Sequence, residues 1–301
     1  MKIAMAQIDS VVGDIPANVK KIKEYIEKAR QAGADLVAFP ELAITGYPPL
    51  DLVNNKEFLR KNKEALTEIM AVSNGISVIV GFVDYENTKK YNAAAVIENG
   101  KLLGIQHKIL LPEYDVFFEK RYFSAGAKQQ TFRLVGIKVA VGVEICEDLW
   151  DEDYDTKITR NLCAKGAKLI VNISSSPYHR GKRFERAELI KKHIAENKVP
   201  IFYINAVGGE DGYEGELVFD GESLAFDADG KLIAIGKQFE EDLVLVELDD
   251  NLLGKELDEP EFNAEKEDFN ALVTGIRSYA ERASFKKAVI GVSGGIDSAL
   301  T

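Results

Sequence analysis

Three residues in this chain end apolar runs and carry groups able to do acyl chemistry. Cys146 closes the run 137–145 and is followed by Glu147, Asp148 and Trp150. A thiolate is a strong nucleophile, but it needs a base or a cation to form. Glu41 follows the run Val37–Pro40, and a carboxylate there would suit a general base if its surroundings are poorly solvated. Lys108 ends the run 102–107, and an ammonium there can stabilise an oxyanion. Taken singly, each has a plainer reading that is also the stronger one. Cys146 reads as a small buried hydrophobe, Glu41 as a solvated loop acid and Lys108 as a surface charge. Spacing along the chain cannot bring the three together.

The elements that must position them alternate between strand and helix. The N-terminal half reads as strands at 2–8 and 36–39, helices at 18–32 and 56–72, then strands at 77–83, 93–97 and 102–107, with Asn99–Gly100 as a hairpin turn. The second half reads as strands at 131–135, 138–143, 169–173 and 201–206, with helices at 158–167 and 184–197. A β-meander follows at 217–220, 223–226, 231–235 and 243–248. Hairpins interrupting the alternation argue against a doubly wound parallel sheet and for mixed sheets with helices on one face. Residues 249–268 are rich in Asp and Glu and contain Pro260, which reads as an acidic linker. A helix at 269–285 and a strand at 288–292 lead into Ser293–Ser298. Cys163 reads as packing. His107, His179 and His193 lack zinc-ligand spacing, so no metal is expected.

Composition narrows the classes. The 301 residues are 46% hydrophobic and carry a net charge of −11, which argues against nucleic-acid binding. No apolar run approaches a membrane span, and two cysteines without a cleavage-site pattern point to the cytoplasm.

Resemblance changes the weight of the three residues. Phe39–Pro48 (FPELAITGYP), His107–Tyr114 (HKILLPEY) and Val143–Trp150 (VEICEDLW) resemble, in order and separation, the three catalytic blocks of the nitrilase superfamily. The match covers about residues 1–250. It implies a nitrilase-like α-β-β-α sandwich with mixed sheets, a Glu41–Lys108–Cys146 triad, and Glu119 orienting Lys108. Val289–Ser298 (VIGVSGGIDS) resembles the pyrophosphatase loop of N-type ATP pyrophosphatases. In such a loop, Gly-Gly amides approach phosphate oxygens and the next helix offers its N-terminus. An amidase upstream of that loop resembles the glutamine-dependent NAD synthetase family. The resemblance implies glutamine as ammonia donor, and ATP, Mg²⁺ and deamido-NAD as reactants of a complete synthetase. It implies no cofactor in the amidase part and a homo-oligomer.

By the same resemblance, Tyr47, Tyr114, Glu147, Ser176 and Lys182 belong to the glutamine pocket. Ser293, Gly294, Gly295, Asp297 and Ser298 belong to the nucleotide loop. Charge complementarity would pair Glu147 with the α-ammonium of glutamine and Lys182 or Arg183 with its carboxylate. The expected organisation is an amidase domain at 1–250, a linker at 251–268, and at 269–301 the truncated start of a Rossmann-like ATP pyrophosphatase domain. Alone, this chain would be at most a glutaminase, with residues 288–301 lacking a stable home. Two rival readings stay open: a stand-alone amidase or carbamoylase, and a nucleotide-binding protein with a scaffold N-terminal domain.

Overall fold

A computed structural model describes residues 1–211 and 216–301. In chain order the first half contains β1 (Lys2–Gln7), α1 (Ile15–Gln31), β2 (Leu36–Ala38), α2 (Lys56–Ala71), β3 (Ser77–Glu86), β4 (Lys89–Glu98) and β5 (Lys101–His107). Next come β6 (Thr131–Arg133), β7 (Ala140–Ile145), α3 (Ile158–Ala164), β8 (Leu169–Ser174), α4 (Lys182–Asn197) and β9 (Ile201–Asn205). The hairpin β10 (Val207–Asp211) and β11 (Glu216–Asp220) precedes β12 (Leu224–Phe226), β13 (Leu232–Ile235) and β14 (Asp242–Glu247). Two helices close the chain, α5 (Ala264–Arg282) and α6 (Ile296–Leu300).

The strands form two mixed six-stranded sheets, ordered β14-β1-β2-β3-β4-β5 and β13-β12-β9-β8-β7-β6. In each, three central strands run parallel: β1, β2 and β3 in one, β7, β8 and β9 in the other. Alternation along each strand sends its side chains to two apolar layers. Ile3, Met5 and Ile79 of the first sheet meet Val143, Val171 and Phe202 of the second, while Val37 and Val78 point outward against Ile22 of α1 and Ile69 of α2. Ile170 and Ile201 point outward against Leu162 of α3 and Ile190 of α4. Helix, sheet, sheet and helix therefore stack as an α-β-β-α sandwich. Strands buried on both faces explain the unbroken apolar runs in the sequence.

Several elements differ from the sequence reading. Helix α1 begins at Ile15, not residue 18, because the Asp14 carboxylate caps the N–H of Ala17 at 3.1 Å and Pro16 suits a first turn. The expected meander from 217 to 248 is divided among three places. Among the described residues β11 pairs only with β10, β12 and β13 stay in the second sheet, and β14 crosses to pair antiparallel with β1. Buried Gln7 directs that crossing: its amide donates to Lys237 O at 2.6 Å and Glu240 O at 2.7 Å, and its oxygen accepts from Ser223 N at 2.9 Å. The last five residues of the expected linker, 264–268, are helical, since Asn263 caps α5 by accepting from Lys266 N at 2.9 Å. Helix α5 packs closely on β10, where Gly209 N donates to Ser278 Oγ at 3.0 Å. A Cβ at Gly209 would lie 3.2 Å from Gly275 Cα. Residues 288–292 form no strand, and Val289 is 98% exposed. An extended run without a neighbouring strand has no ladder to join. No helix among the described residues is long and apolar enough to cross a membrane.

Candidate active site

The strand ends bring the three reactive side chains together. Glu41 stands in a tight turn after β2, where the chain passes directly over Gly81 of β3. A Cβ at Gly81 would lie 2.2 Å from Leu42 N and 2.4 Å from Pro40 O, so only glycine leaves room for this turn. Lys108 follows β5 and is tied by its own N–H to Asn92 O at 2.8 Å. Cys146 follows β7 with φ +47°, a left-handed conformation that turns the chain sharply into a 3₁₀ turn over Cys146–Leu149. The buried Asp148 carboxylate locks this turn to the Lys108 segment. It accepts from Ile109 N at 2.9 Å, Leu110 N at 2.8 Å and Ile145 N at 3.1 Å. Two loops from opposite sheets are thereby held in one register.

At the centre, Lys108 Nζ donates to Glu41 Oε1 at 2.8 Å and to Glu119 Oε1 at 2.7 Å, all three side chains being buried. Asn92 Nδ2 donates to Glu41 Oε1 at 2.6 Å, and Ser175 N donates to Glu41 Oε2 at 2.9 Å. Tyr47 OH donates to Glu119 Oε1 at 3.0 Å. Two carboxylates around one ammonium leave a surplus negative charge in a dry site. Burial, opposed by Lys108 and reinforced by Glu41, pushes Glu119 up to about 7. Burial works against the Lys108 ammonium, yet the Glu119 and Glu41 carboxylates hold it charged, well above the usual lysine range. Burial also pushes the Cys146 thiol up, with Glu41 adding to the effect and Lys108 opposing it. The resting nucleophile is accordingly a neutral thiol beside a carboxylate base.

A cavity of about 350 Å³ opens on Cys146, lined among others by Tyr114, Glu147, Trp150, Ser176 and Lys182. Both Glu147 oxygens are engaged: Oε2 accepts from Tyr114 OH and Oε1 from Tyr154 OH, each at 2.8 Å. Burial raises the Glu147 carboxyl despite these bonds. Across the cavity, Lys182 Nζ stands 4.0 Å from the Trp150 ring centroid and 3.2 Å from Glu185. A larger hollow of about 810 Å³ lies between α1 and α2, far from this chemistry and rimmed by surface lysines and glutamates.

The structure gathers Glu41, Lys108, Cys146, Glu119, Tyr114, Glu147, Ser176 and Lys182 at or around this cavity. Tyr47 is buried behind it against Phe219, and its hydroxyl meets Glu119, so it is not part of the wall. Arg183 also lies outside the wall, paired with Glu222 at 3.1 Å and 3.8 Å from Glu267 of α5. Ser293, Gly294, Gly295, Asp297 and Ser298 form a separate exposed turn in which Ser293 N donates to Ser298 Oγ at 3.1 Å. Among the described residues no group of three or more His, Cys, Asp or Glu side chains is placed to hold a metal ion. Sequence reasoning missed Asn92, Asp148, Tyr154 and Ser175. Asn92 left a signal as a polar residue opening the apolar run at 93–97, and Asp148 lay inside the block VEICEDLW without being assigned a role.

Comparison with known proteins agrees with this fold. Residues 2–255 match the carbon-nitrogen hydrolase family, and residues 268–301 match the NAD synthase family. A glutamine-dependent NAD(+) synthetase of Thermotoga maritima is 38% identical over the whole of this chain, which spans 57% of that protein. A solved glutamine-dependent NAD+ synthetase from Acinetobacter baumannii, in complex with ADP, superposes with a TM-score of 0.91 at 34% identity. It covers 99% of this chain, which spans 55% of that one. An amidase from Nesterenkonia sp. shares the fold over 83% of this chain and 90% of its own, with a TM-score of 0.73 at 23% identity. The chain thus spans little more than half the length of the synthetases it matches. With sandwich, strand-end cluster and a match over 254 of its residues all in agreement, the chain belongs to the carbon-nitrogen hydrolase family.

Proposed function

We propose that this chain carries the glutamine-hydrolysing part of a glutamine-dependent NAD synthetase. The convergence of Glu41 and Lys108, 2.8 Å apart and buried beside the Cys146 thiol, supports this reading above all else. Glu41 takes the thiol proton while Sγ attacks the carboxamide carbon. The carbonyl oxygen becomes an oxyanion, held by Lys108 Nζ and the N–H of Glu147. As the tetrahedral adduct collapses, Glu41 returns its proton to the departing ammonia, leaving a thioester. Glu41 then deprotonates a water that attacks the thioester carbon, releasing glutamate and restoring the thiol. Glu119 stays behind Lys108 and keeps its ammonium aimed at Glu41.

Charge in the cavity suits a zwitterionic amino acid. Glu147 receives the α-ammonium and Lys182 the α-carboxylate, with Tyr114 and Ser176 completing the wall. Tyr47 supports the site through Glu119 rather than touching glutamine. The exposed 293–298 loop is proposed to hold nucleotide phosphate in the complete enzyme, which would use ATP with Mg²⁺ to amidate deamido-NAD with the released ammonia. A homo-oligomer in the cytoplasm is the proposed setting.

Ammonia release separates the readings. Wild type is expected to prefer glutamine over N-carbamoyl compounds, and Cys146→Ala to release none. Preference for a carbamoyl substrate would instead indicate a stand-alone carbamoylase. Glutaminase activity surviving in Cys146→Ala would reduce this domain to a scaffold.

A further inference from the structure

Arg186 of α4 is wholly buried, yet it touches none of the reacting groups. Its Nη1 donates to Asp220 Oδ2 at 2.7 Å. Its Nη2 donates to Ser176 O at 2.9 Å and to Ser176 Oγ at 3.3 Å, while Nε is buried without a partner. A guanidinium with an unmet N–H is a costly group to bury, and an apolar side chain would fill the same space at less expense. What the charge accomplishes lies in the segment it grips. Asn205 holds the same residue from the other side, accepting from Ser176 N at 2.9 Å and donating to Ser176 O at 3.3 Å and Asp220 Oδ1 at 3.1 Å. Both main-chain groups of Ser176 are therefore fixed. The preceding residue is Ser175, whose N–H meets Glu41 Oε2 at 2.9 Å and whose Oγ donates to Glu41 O at 3.1 Å.

Resting on the amidase reading above, we propose that Arg186 is a positioning residue: through Ser176 it presents the Ser175 N–H to Glu41 and fixes the orientation of the base. The carboxylate has three polar contacts among the described residues. Lys108 and Asn92 converge on Oε1, and the Ser175 N–H meets Oε2. Without the clamp the carboxylate can rotate, and its alignment with the thiol is lost. Asp220 completes the device, because it neutralises the guanidinium and keeps it in place.

The test uses Arg186→Gln, Arg186→Lys, Asp220→Asn and a control, Ile194→Ala, which opens a cavity on the same helix away from the clamp. Two rates are read: kcat for ammonia release from glutamine, and alkylation of Cys146 by iodoacetamide, which needs the thiol deprotonated. Arg186→Gln is expected to lower both by roughly 10- to 100-fold, the size of one charge-assisted hydrogen bond, with KM changed less than threefold. Arg186→Lys should recover part of each rate, and Ile194→Ala should leave both unchanged while lowering Tm. Folded Arg186→Gln with wild-type rates would overturn the proposal. So would equal losses in Ile194→Ala. If Arg186→Gln does not fold, isosteric Asp220→Asn decides by the same criteria. A wild type that releases no ammonia would remove the amidase reading instead, while the alkylation rates would still judge the clamp.

Discussion

Replacing Glu119 by glutamine preserves its shape and removes its charge, which isolates the electrostatics of the Lys108 site. In the wild type the Glu119 carboxyl is pushed from an ordinary 4.5 up to about 7, first by burial and further by Glu41. The folded state thus favours the protonated acid. Its contribution to stability is fully present below 4.5 and is lost as pH rises through about 7. Between pH 5 and pH 8 that loss amounts to roughly 2–3 kcal/mol. Glu119→Gln cannot titrate, so the stability difference between wild type and variant should change by this amount across the interval. Taking the difference cancels other raised carboxyls such as Asp148 and Glu222, each pushed up to about 7 by burial. Urea unfolding at pH 5, 6, 7 and 8 measures it directly. Kinetically, Lys108 loses one of two anionic partners while Glu41 remains, which removes roughly 1.5–3 kcal/mol of charge-assisted hydrogen bonding. A kcat lower by on the order of 10- to 100-fold follows, with KM little changed because Glu119 does not line the Cys146 cavity. Parallel stability curves for the two proteins, or a variant with wild-type kcat, would refute the reasoning.

Other perturbations test the remaining parts of the site. Glu147→Ala should raise KM for glutamine at least tenfold in steady-state ammonia release while kcat falls less; an unchanged KM would remove its role toward the α-ammonium. Asp148→Asn replaces a carboxylate accepting three N–H groups by an amide whose NH₂ must face one of them. It should cost about 1–3 kcal/mol in thermal unfolding and lower kcat at least tenfold as the Lys108 and Cys146 loops lose register. Gly81→Ala would drive a Cβ into the turn carrying Glu41, and should lose several kcal/mol of stability in urea or, if folded, most of its glutaminase rate.

Much of the fold was legible because strands buried on both faces leave continuous apolar runs, and turns such as Asn99–Gly100 mark their ends. The elements misjudged were those whose partners lie far away in sequence. β14 has a run like those of β12 and β13, and its pairing with β1, more than two hundred residues earlier and helped by Gln7, places it in the other sheet. Residues 288–292 have strand composition and no strand beside them. Local pattern reports the tendency to extend, whereas the ladder depends on a neighbour.

The same division runs through the site. The sequence singled out Glu41, Lys108 and Cys146 through three blocks that resemble a known family, FPELAITGYP, HKILLPEY and VEICEDLW; residue type alone left the plainer reading of each one stronger. Only folding decided what surrounds them. It set Tyr47 behind Glu119 instead of in the cavity, committed Arg183 to Glu222, and enclosed Glu147 between Tyr114 and Tyr154. It also turned Asp148, Asn92 and Ser175 into the supports of the reactive groups. A side chain's identity is written in the sequence, but its charge state and aim are set by neighbours that only a closed sandwich brings within hydrogen-bonding reach.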